Sequence, residues 1–514
     1  MGCVKLVFFM LYSFLCQLAF SSSSSHLCPK YQALALLQFK NMFTVNPDAS
    51  YYCEFSHPKT RSWNKSTDCC SWDGVHCDNT TGQVIELDLR CSQLQGKLHS
   101  NSSLFQLSNL KRLDLSYNDF TGSPISPKFA ICNLKTFILL NLKSNNLEGT
   151  IPQCLGEMSE LQVLDLSNNS LSGTMNTTFS IGNPLHIIKL DWNKLQGKVP
   201  PSLINCKKLE LLDLSNNELN DTFPKWLGDL PNLQVLNFRS NKLYGPIRTN
   251  NLFAKIRVVD LSSNGFSGDL PVSFFENFEA MKINGENNGT RKYVADLYSD
   301  YYKNYLIVTT KGLDQELSRV LTTQIIIDLS KNKFEGHIPN IIGDLIGLRT
   351  LNLSHNVLEG HIPASFQNLS VLESLDLSSN KISGAIPQQL ASLTFLEVLN
   401  LSHNHLVGCI PKGKQFDSFE NSSYLGNDGL RGLPPSRDCG RDDQVTTPAE
   451  LDQEEDSPMI SWQAVLMGYG CGLVIGLSVI YIMWSTQYPA WFSRMDVKLE
   501  HIISKRMKKH KKRY

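Results

Sequence analysis

Five asparagines, Asn145, Asn169, Asn193, Asn217 and Asn241, recur at a step of 24 residues in this chain of 514. Each sits in the frame LxxLxLxxNxLxGxIP, seen as LQVLDLSNNSLSGT at Leu161–Thr174 and as LESLDLSSNKISGAIP at Leu372–Pro387. A unit this short cannot bury its apolar face alone, so it must stack on its neighbours and the chain becomes a row of coils. Extending the register gives twelve rungs, at Ser92 (a substitution), Asn118, Asn145, Asn169, Asn193, Asn217, Asn241 and Asn264, then after a gap at Asn332, Asn356, Asn380 and Asn404. In LxLxxN the two leucines alternate with other residues, so the leucines point inward and the intervening positions face solvent. The Asn turns inward as well, where its amide satisfies backbone groups of adjacent coils. Gly and Pro of GxIP turn the chain on the far side. Strands at a spacing of roughly 4.8 Å make an arc on the order of 55 Å, ample for a protein or peptide ligand.

Period and pattern together are the signature of a leucine-rich-repeat solenoid. The expected fold class is an α/β-type solenoid: an extracellular superhelix of about 12 repeats with disulfide caps, interrupted by an island, plus one transmembrane helix. The expected boundaries are a signal peptide over 1–25, a cysteine-rich N-terminal cap over 26–84, repeats one to eight over 85–272, the island over 273–322, repeats nine to twelve over 323–410, and a C-terminal cap over 411–440. An acidic juxtamembrane stretch (441–461), the transmembrane helix (462–484) and a basic tail (485–514) follow.

The flanks indicate the compartment. Lys5, the apolar run Leu6–Phe20 and the small residues Ser21–Ser25 read as a secretory signal, the run being too short to span a bilayer comfortably. Asn-X-Ser/Thr sequons stand at Asn64, Asn79, Asn101, Asn168, Asn176, Asn220, Asn288, Asn352, Asn368, Asn400 and Asn421, with none beyond. That asymmetry is expected of a glycosylated ectodomain followed by a cytoplasmic tail. Ala464–Trp484 is an uncharged run of 21 residues flanked by Trp462 and Trp484, long enough for the hydrocarbon layer. Before it lie Asp442, Asp443, Glu450, Asp452, Glu454, Glu455 and Asp456; the last 30 residues carry nine Lys/Arg against two acids. The net charge of zero thus conceals a dipolar chain, with type I topology at the plasma membrane. Lys511 and Lys512 also fit a dilysine retrieval signal for the endoplasmic reticulum, although a stop-transfer tail yields the same residues. Gly468, Gly472 and Gly476 recur every fourth residue and offer a helix face that a second helix can approach closely.

The N-terminal cap combines a helical pattern at Ala33–Lys40 with WNKSTDCCSWDGVHC at Trp63–Cys77; a cap is needed to close the open end of the stack. Cys28, Cys69, Cys70 and Cys77 are expected to pair among themselves, in a connectivity that spacing alone leaves open. Cys409 and Cys439 bracket the C-terminal cap. The ectodomain holds eleven cysteines, an odd number, so at least one is free or pairs between chains. Cys132 and Cys206 read as small buried apolar residues. No metal or cofactor is expected, the His/Cys spacing being unsuitable for zinc.

The gap between Asn264 and Asn332 holds Tyr293, Tyr298, Tyr301, Tyr302 and Tyr305 within thirteen positions. Tyrosines supply rigid amphipathic contact area, so this island is expected to contact a ligand or co-receptor, the alternative being that it folds back on the solenoid. On the strand face most repeats are plain, such as Asp165/Ser167 and Asp213/Ser215, but three depart: Asn141, Lys143 and Ser144; His186, Lys189, Asp191 and Trp192; Gln234, Asn237, Arg239 and Ser240. Lys143, His186, Lys189, Asp191, Trp192, Asn237 and Arg239, with Tyr298, Tyr301 and Tyr302, are the candidate ligand contacts, Trp192 having the character of a hot spot. Glycans at Asn352 and Asn400 would obstruct large ligands after the island.

ALALLQFKNMF, SWNKSTDCCSWDGVHC, GQVIELDLRCSQLQG and GCIPKGKQFDSFENSSYLGNDGLRG, with the island and the C-terminus, resemble plant receptor-like proteins of the Cf type over nearly the whole chain. The resemblance implies a plasma-membrane immune receptor without a kinase, detecting extracellular effector proteins or peptides. It implies an adaptor receptor-like kinase bound through the acidic stretch 441–461 and the Gly468/Gly472/Gly476 face, a co-receptor kinase recruited on activation, and ligand reading in the repeats before the island. Such receptors have twenty-odd repeats there; this chain has eight. Its step also slips from 24 to 27 between Asn118 and Asn145, which indicates an in-frame loss with a junction near Phe129/Ala130.

A defence receptor is therefore the leading reading. A shortened paralogue that engages the kinase but binds no ligand is the second, and an inhibitor of secreted pathogen enzymes the third, disfavoured by the membrane span. No nucleophile–base motif or phosphate loop points to an enzyme, nothing points to nucleic acid, and the tail is too short for a kinase. Replacing Gly468, Gly472 and Gly476 by Leu is expected to weaken co-precipitation of the partner kinase by blocking close helix approach; unchanged co-precipitation would remove that role.

Overall fold

The computed structural model describes residues 27–432 and Cys439, apart from 126–129, 176, 249–252, 284–291 and 299–300. The expected signal peptide, juxtamembrane stretch, membrane span with Gly468, Gly472 and Gly476, and basic tail with Lys511 and Lys512 lie outside the described residues, as do the sequons at Asn176 and Asn288. Among the described residues no helix is long and apolar enough to cross a membrane.

One strand per repeat builds a 13-stranded sheet. Its first pair is antiparallel, Val75–Cys77 of the cap against Val84–Asp88. Every later neighbour is parallel, from Arg112–Asp114 to Val398–Asn400. The sheet is continuous across the irregular step, Arg112 lying opposite Leu139 and Asp114 opposite Asn141. It is continuous across the island too, Val258 lying opposite Ile326. The three extra residues of the long step are thus absorbed outside the strands.

The asparagine ladder explains why the coils stay in register. Asn217 is buried; its Nδ2 donates to the carbonyls of Leu190, Leu214 and Ser215 at 2.9–3.1 Å, and its Oδ1 accepts from Leu195 N–H at 3.0 Å. One side chain therefore satisfies groups on its own coil and on the preceding one. The sequence pattern stops at Asn404, yet Asn427 repeats the same bonds to Leu401 O and Leu406 N inside the C-terminal cap. The leucine columns merge into one apolar core along the stack, with Phe223, Phe253, Phe274 and Phe278 in edge-to-face contact on the convex side.

The convex returns are short 3-10 turns entered from proline, such as Pro201–Asn205 and Lys225–Asp229, proline's fixed φ suiting that entry. Gly149, at φ +96°, lies against Ile125 of the previous coil so closely that a Cβ would come within 2.1 Å of its carbonyl oxygen.

Disulfides pair Cys28 with Cys69 and Cys70 with Cys77 in the N-terminal cap, and Cys409 with Cys439 at the other end. Two more were not foreseen. Cys53–Cys91 ties the cap to the first coil, and Cys132–Cys154 ties two convex returns together just after the irregular step. Cys132 is thus corrected from a packing residue to a cross-link. Cys206 is the free, buried cysteine among the described residues; burial pushes its thiol up to about 12. Asp68 and the sulfurs of Cys28, Cys69 and Cys70 converge, but all three sulfurs are in disulfides and offer no thiolate to an ion.

Asn217→Ala removes the donor to three carbonyls and the acceptor for Leu195. We expect a loss on the order of 3 kcal/mol in urea unfolding.

Candidate recognition surface

The strand residue that precedes the inward leucine decides what happens on the concave face. It is apolar in seven successive strands, as Leu139, Val163, Ile187, Leu211, Val235, Val258 and Ile326. Before that run it is Glu86 and Arg112, and after it Thr350, Ser374 and the half-buried Val398. The apolar row is buried by Val294, Ala295, Tyr298, Tyr302, Leu306, Val308 and Val320 of the island, which forms a second apolar cluster with it. The island therefore lies on the sheet and fills the face that the strand pattern assigned to solvent. It includes a hairpin, Leu306–Thr310 paired with Leu313–Leu317, whose Lys311-Gly312 turn has positive φ at both residues, the geometry favoured in two-residue hairpins.

Polar bonds fix the seat at intervals. Tyr302 donates its hydroxyl to Asp165 at 2.7 Å, Arg239 makes two bonds of 2.8 Å to the Asp314 carboxylate, and Arg257 donates to Thr322 O at 2.6 Å. At the hairpin tip Lys311 reaches Glu397 at 2.6 Å, while at the opposite end Arg90 donates to the Tyr305 hydroxyl at 3.1 Å. The first and the last repeats both carry residues within reach of the island.

Lys189 lies beneath the island and replaces an acid in the strand column. Its ammonium lies 3.3 Å from Asp191 and 3.5 Å from Asp213, and it donates to Tyr305 O at 2.5 Å. Burial opposes its charge, but Asp191, Asp213 and Asp165 outweigh that and raise its pKa. Burial, then repulsion from Asp213, raises the Asp191 carboxyl against the attraction of Lys189. The Tyr302 hydroxyl is raised first by burial and then by Asp165.

These positions correct the expectation of a free contact surface. Lys189, Asp191, Asn237, Tyr298 and Tyr302 are buried, and the tyrosines pack on the solenoid because the apolar strand row gives them a dry seat. His186 accompanies them, bonded to Glu210 at 3.0 Å and edge-on to Tyr298. Arg239 is committed to Asp314. Tyr301 is half-buried, with Arg112 4.8 Å above its ring. Trp192 remains 50% exposed, and Lys143 is half-buried at the edge of the island. The island boundary also shifts. Phe274, Phe275, Phe278 and Met281 belong to the main core, so residues 273–283 complete the eighth coil.

Asn64, Asn79, Asn101, Asn168, Asn220, Asn368 and Asn421 are exposed. Asn352 and Asn400 are half-buried on the strand face, and the Nδ2 that a glycan would occupy is bonded to Asp328 at 3.2 Å and to Asp376 at 3.4 Å.

Recesses border the island at several places: one of about 420 Å³ lies at the hairpin tip among Arg239, Lys311, Asp314 and His355, and two more lie nearer the first coils. One, of about 500 Å³, opens between the first coils and the island edge and is lined by Arg90, Asp114, Tyr117, Lys143, Tyr301 and Tyr305 among others. The other, of about 420 Å³, lies beyond Tyr117 and Tyr305 and is rimmed by Tyr52, Trp192 and Ile307. Sequence reasoning passed over Arg90 and Tyr117, while Tyr305 stood among the island tyrosines expected to make contacts. Arg90 had a signal: the second residue after the strand is Ser in most coils, and only Arg90, Lys143, Asp191 and Arg239 break the column.

Burial raises the Asp114 carboxyl to about 6, against the bond from Ser116. An unfolded Asp titrates near about 3.9, so the folded state holds this proton more tightly between the two values. The contribution of Asp114 to stability is therefore greatest at the acid end and falls as pH rises from about 4 to about 6. Asp114→Asn is expected to flatten that part of the pH–stability curve in chemical unfolding. Tyr302→Phe leaves Asp165 Oδ2 under the island without its donor, while Oδ1 keeps Ser167. We expect it to cost about 1–3 kcal/mol, seen as faster hydrogen exchange in the hairpin while exchange in Ser374–Asp376 is unchanged.

Residues 29–78 match the family described as leucine rich repeat N-terminal domain, and residues 183–243, 324–382 and 346–406 match leucine rich repeat. Receptor-like protein Cf-9 of Solanum pimpinellifolium is 45% identical, with 100% of both chains covered. Receptor-like protein 43 of Arabidopsis thaliana is 32% identical over 92% of this chain and 93% of that one. The Cf-9 alignment runs over 863 positions against 514 residues here, so it skips a long stretch of the relative. Among solved structures, the crystal structure of PEPR1-AtPEP1 matches with a TM-score of 0.53 at 26% identity, covering 78% of this chain and 50% of that one. The chain thus spans about half the length of that receptor chain. Sequence and fold agree that this chain belongs to the plant Cf-type leucine-rich-repeat receptor-like proteins.

Proposed function

We propose that this chain is a single-pass cell-surface receptor-like protein of plant defence that recognises an extracellular pathogen-derived protein or peptide and signals through a partner receptor kinase. The observation that carries the reading is the 45% identity with Cf-9 across the full span of both chains. The recesses beside the island supply the place: ligand contact falls on the Trp192 rim and on the cleft at Lys143, because the sheet itself is covered. The adaptor kinase engages the acidic stretch 441–461 and the Gly468/Gly472/Gly476 helix face, and a co-receptor kinase joins on activation. The protein sits in the plasma membrane with its N-terminus outside and glycans on the exposed sequons.

One observation favours a second reading, a shortened paralogue that binds the kinase without a ligand. The seven-strand apolar row is sealed by the island, which leaves only the recesses for recognition. Co-precipitation of the adaptor kinase, together with an effector-triggered cell-death assay in leaves, separates the two. Kinase binding with a response to one effector supports the receptor. Kinase binding with silence across a broad effector panel supports the paralogue.

A further inference from the structure

We infer that the cleft between the first coils and the island is a composite anion site that receives a carboxylate of the peptide ligand at Arg90 and Lys143, between the rings of Tyr117 and Tyr305. This rests on the receptor reading and narrows the ligand to a peptide that presents a carboxylate, from an acidic side chain or from its C-terminus.

Two cations share the same pair of rings. The Arg90 guanidinium carbon lies 5.6 Å from the Tyr117 centroid and 5.8 Å from that of Tyr305. The Lys143 ammonium lies 5.4 Å and 4.8 Å from the same centroids. The acids of the cleft already have donors. Glu86 takes Arg112 Nε at 2.8 Å and Asp88 takes Lys59 at 3.0 Å. Asp114 takes Ser116 Oγ at 2.6 Å and Asn141 Nδ2 at 2.9 Å, and Asp165 takes the Tyr302 hydroxyl. Among the described residues neither Arg90 nor Lys143 forms an ion pair with a carboxylate; their close partners are the rings and the Tyr305 hydroxyl. Asp114 attracts Arg90 and Asp191 attracts Lys143 from beyond ion-pair distance, and an entering carboxylate would add direct, charge-assisted hydrogen bonds to both cations. The cleft's 500 Å³ admits a side chain or a chain end.

The site is composite. Arg90, Tyr117 and Lys143 come from the first three coils and Tyr305 from the island. Each coil inserted between them would move Arg90 roughly 4.8 Å further along the stack, and a bond of 3.1 Å to Tyr305 does not survive even one. The Cf-9 alignment is far longer than this chain, and the repeat step slips within this group of coils, between Tyr117 and Lys143. Extra coils at that step would part Arg90 and Tyr117 from Lys143 and Tyr305, so the pocket depends on the short spacing of this chain.

The full chain in lipid nanodiscs tests this by thermophoresis against three tetrapeptide probes. They are acetyl-Gly-Gly-Asp-Gly-amide, its Asn counterpart, and acetyl-tetraglycine with a free carboxylate. The expected result is saturable binding of a carboxylate probe, with the Asn peptide about tenfold weaker or more. Binding of the Asp peptide assigns the site to an acidic side chain; binding of the free-carboxylate peptide alone assigns it to a ligand C-terminus, and both support the inference. Arg90→Gln and Lys143→Gln should each weaken binding about tenfold, with each variant still folded at the assay temperature by circular dichroism. A tandem duplication of residues 146–193, which separates Arg90 and Lys143 from Tyr305 but keeps every coil type, should abolish it. Equal binding of the Asn peptide, or undiminished binding in the two Gln variants or the duplication, overturns the inference. An effector response in leaves that persists in Arg90→Gln and Lys143→Gln would also overturn it while leaving the receptor reading standing.

Discussion

The structure depends on the hydrogen bonds of one buried side chain per coil. A strand of three residues, as at Leu211–Asp213, is too short to hold a turn of chain by its ladder bonds alone, and its irregular return leaves backbone groups facing the core. The buried Asn amide supplies donors and an acceptor at that corner, joining the carbonyls of two coils and the amide of the earlier one. Because the same bonds recur from Asn118 to Asn427, neighbouring coils lock without reference to their return segments. That tolerance lets the solenoid carry a 27-residue step, a 68-residue excursion and a Phe-rich return without losing the sheet.

The island exploits the other side of this arrangement. Seven apolar residues in successive strands would leave a dry stripe on the open face, and burial of such a stripe stabilises whatever covers it at roughly 25 cal/mol per Å². The island covers it from within the chain, and the ion pairs at Arg239 and Lys311 set its direction along the sheet. A solenoid that would otherwise offer its full concave face to a ligand therefore offers recesses at the edges of its own insert. Recognition becomes a matter of side chains at the seam between coil and island.

Much of this was written in the sequence, to differing degrees. The Asn step and the alternating leucines specify strand, register and repeat number, because each rung obeys the same local bonding. The cap at Cys28–Cys77 was legible as a cysteine cluster, but the bonds from Cys53 to Cys91 and from Cys132 to Cys154 join residues on different coils, and no local pattern announces them. The fate of the tyrosines was misread: Tyr298 and Tyr302 have the composition of a recognition loop, and only the apolar run from Leu139 to Ile326, legible but unremarked, shows where they must go. Lys189 stands out in the sequence because it interrupts a column of carboxylates, and in the fold the neighbouring carboxylates hold it. Arg90 and Tyr305 are 215 residues apart, and their meeting follows from how many coils lie between them.

The central claim is that the island is seated on the strand face and leaves recognition to the edges. Hydroxyl-radical footprinting of the full chain tests it directly, because tyrosine oxidation reports solvent access irrespective of charge. Tyr302 is 5% exposed and Tyr52 is 82% exposed, so the account predicts that Tyr302 and Tyr298 stay unmodified while Tyr51 and Tyr52 oxidise rapidly. Oxidation of Tyr302 at the rate of Tyr52 would contradict it.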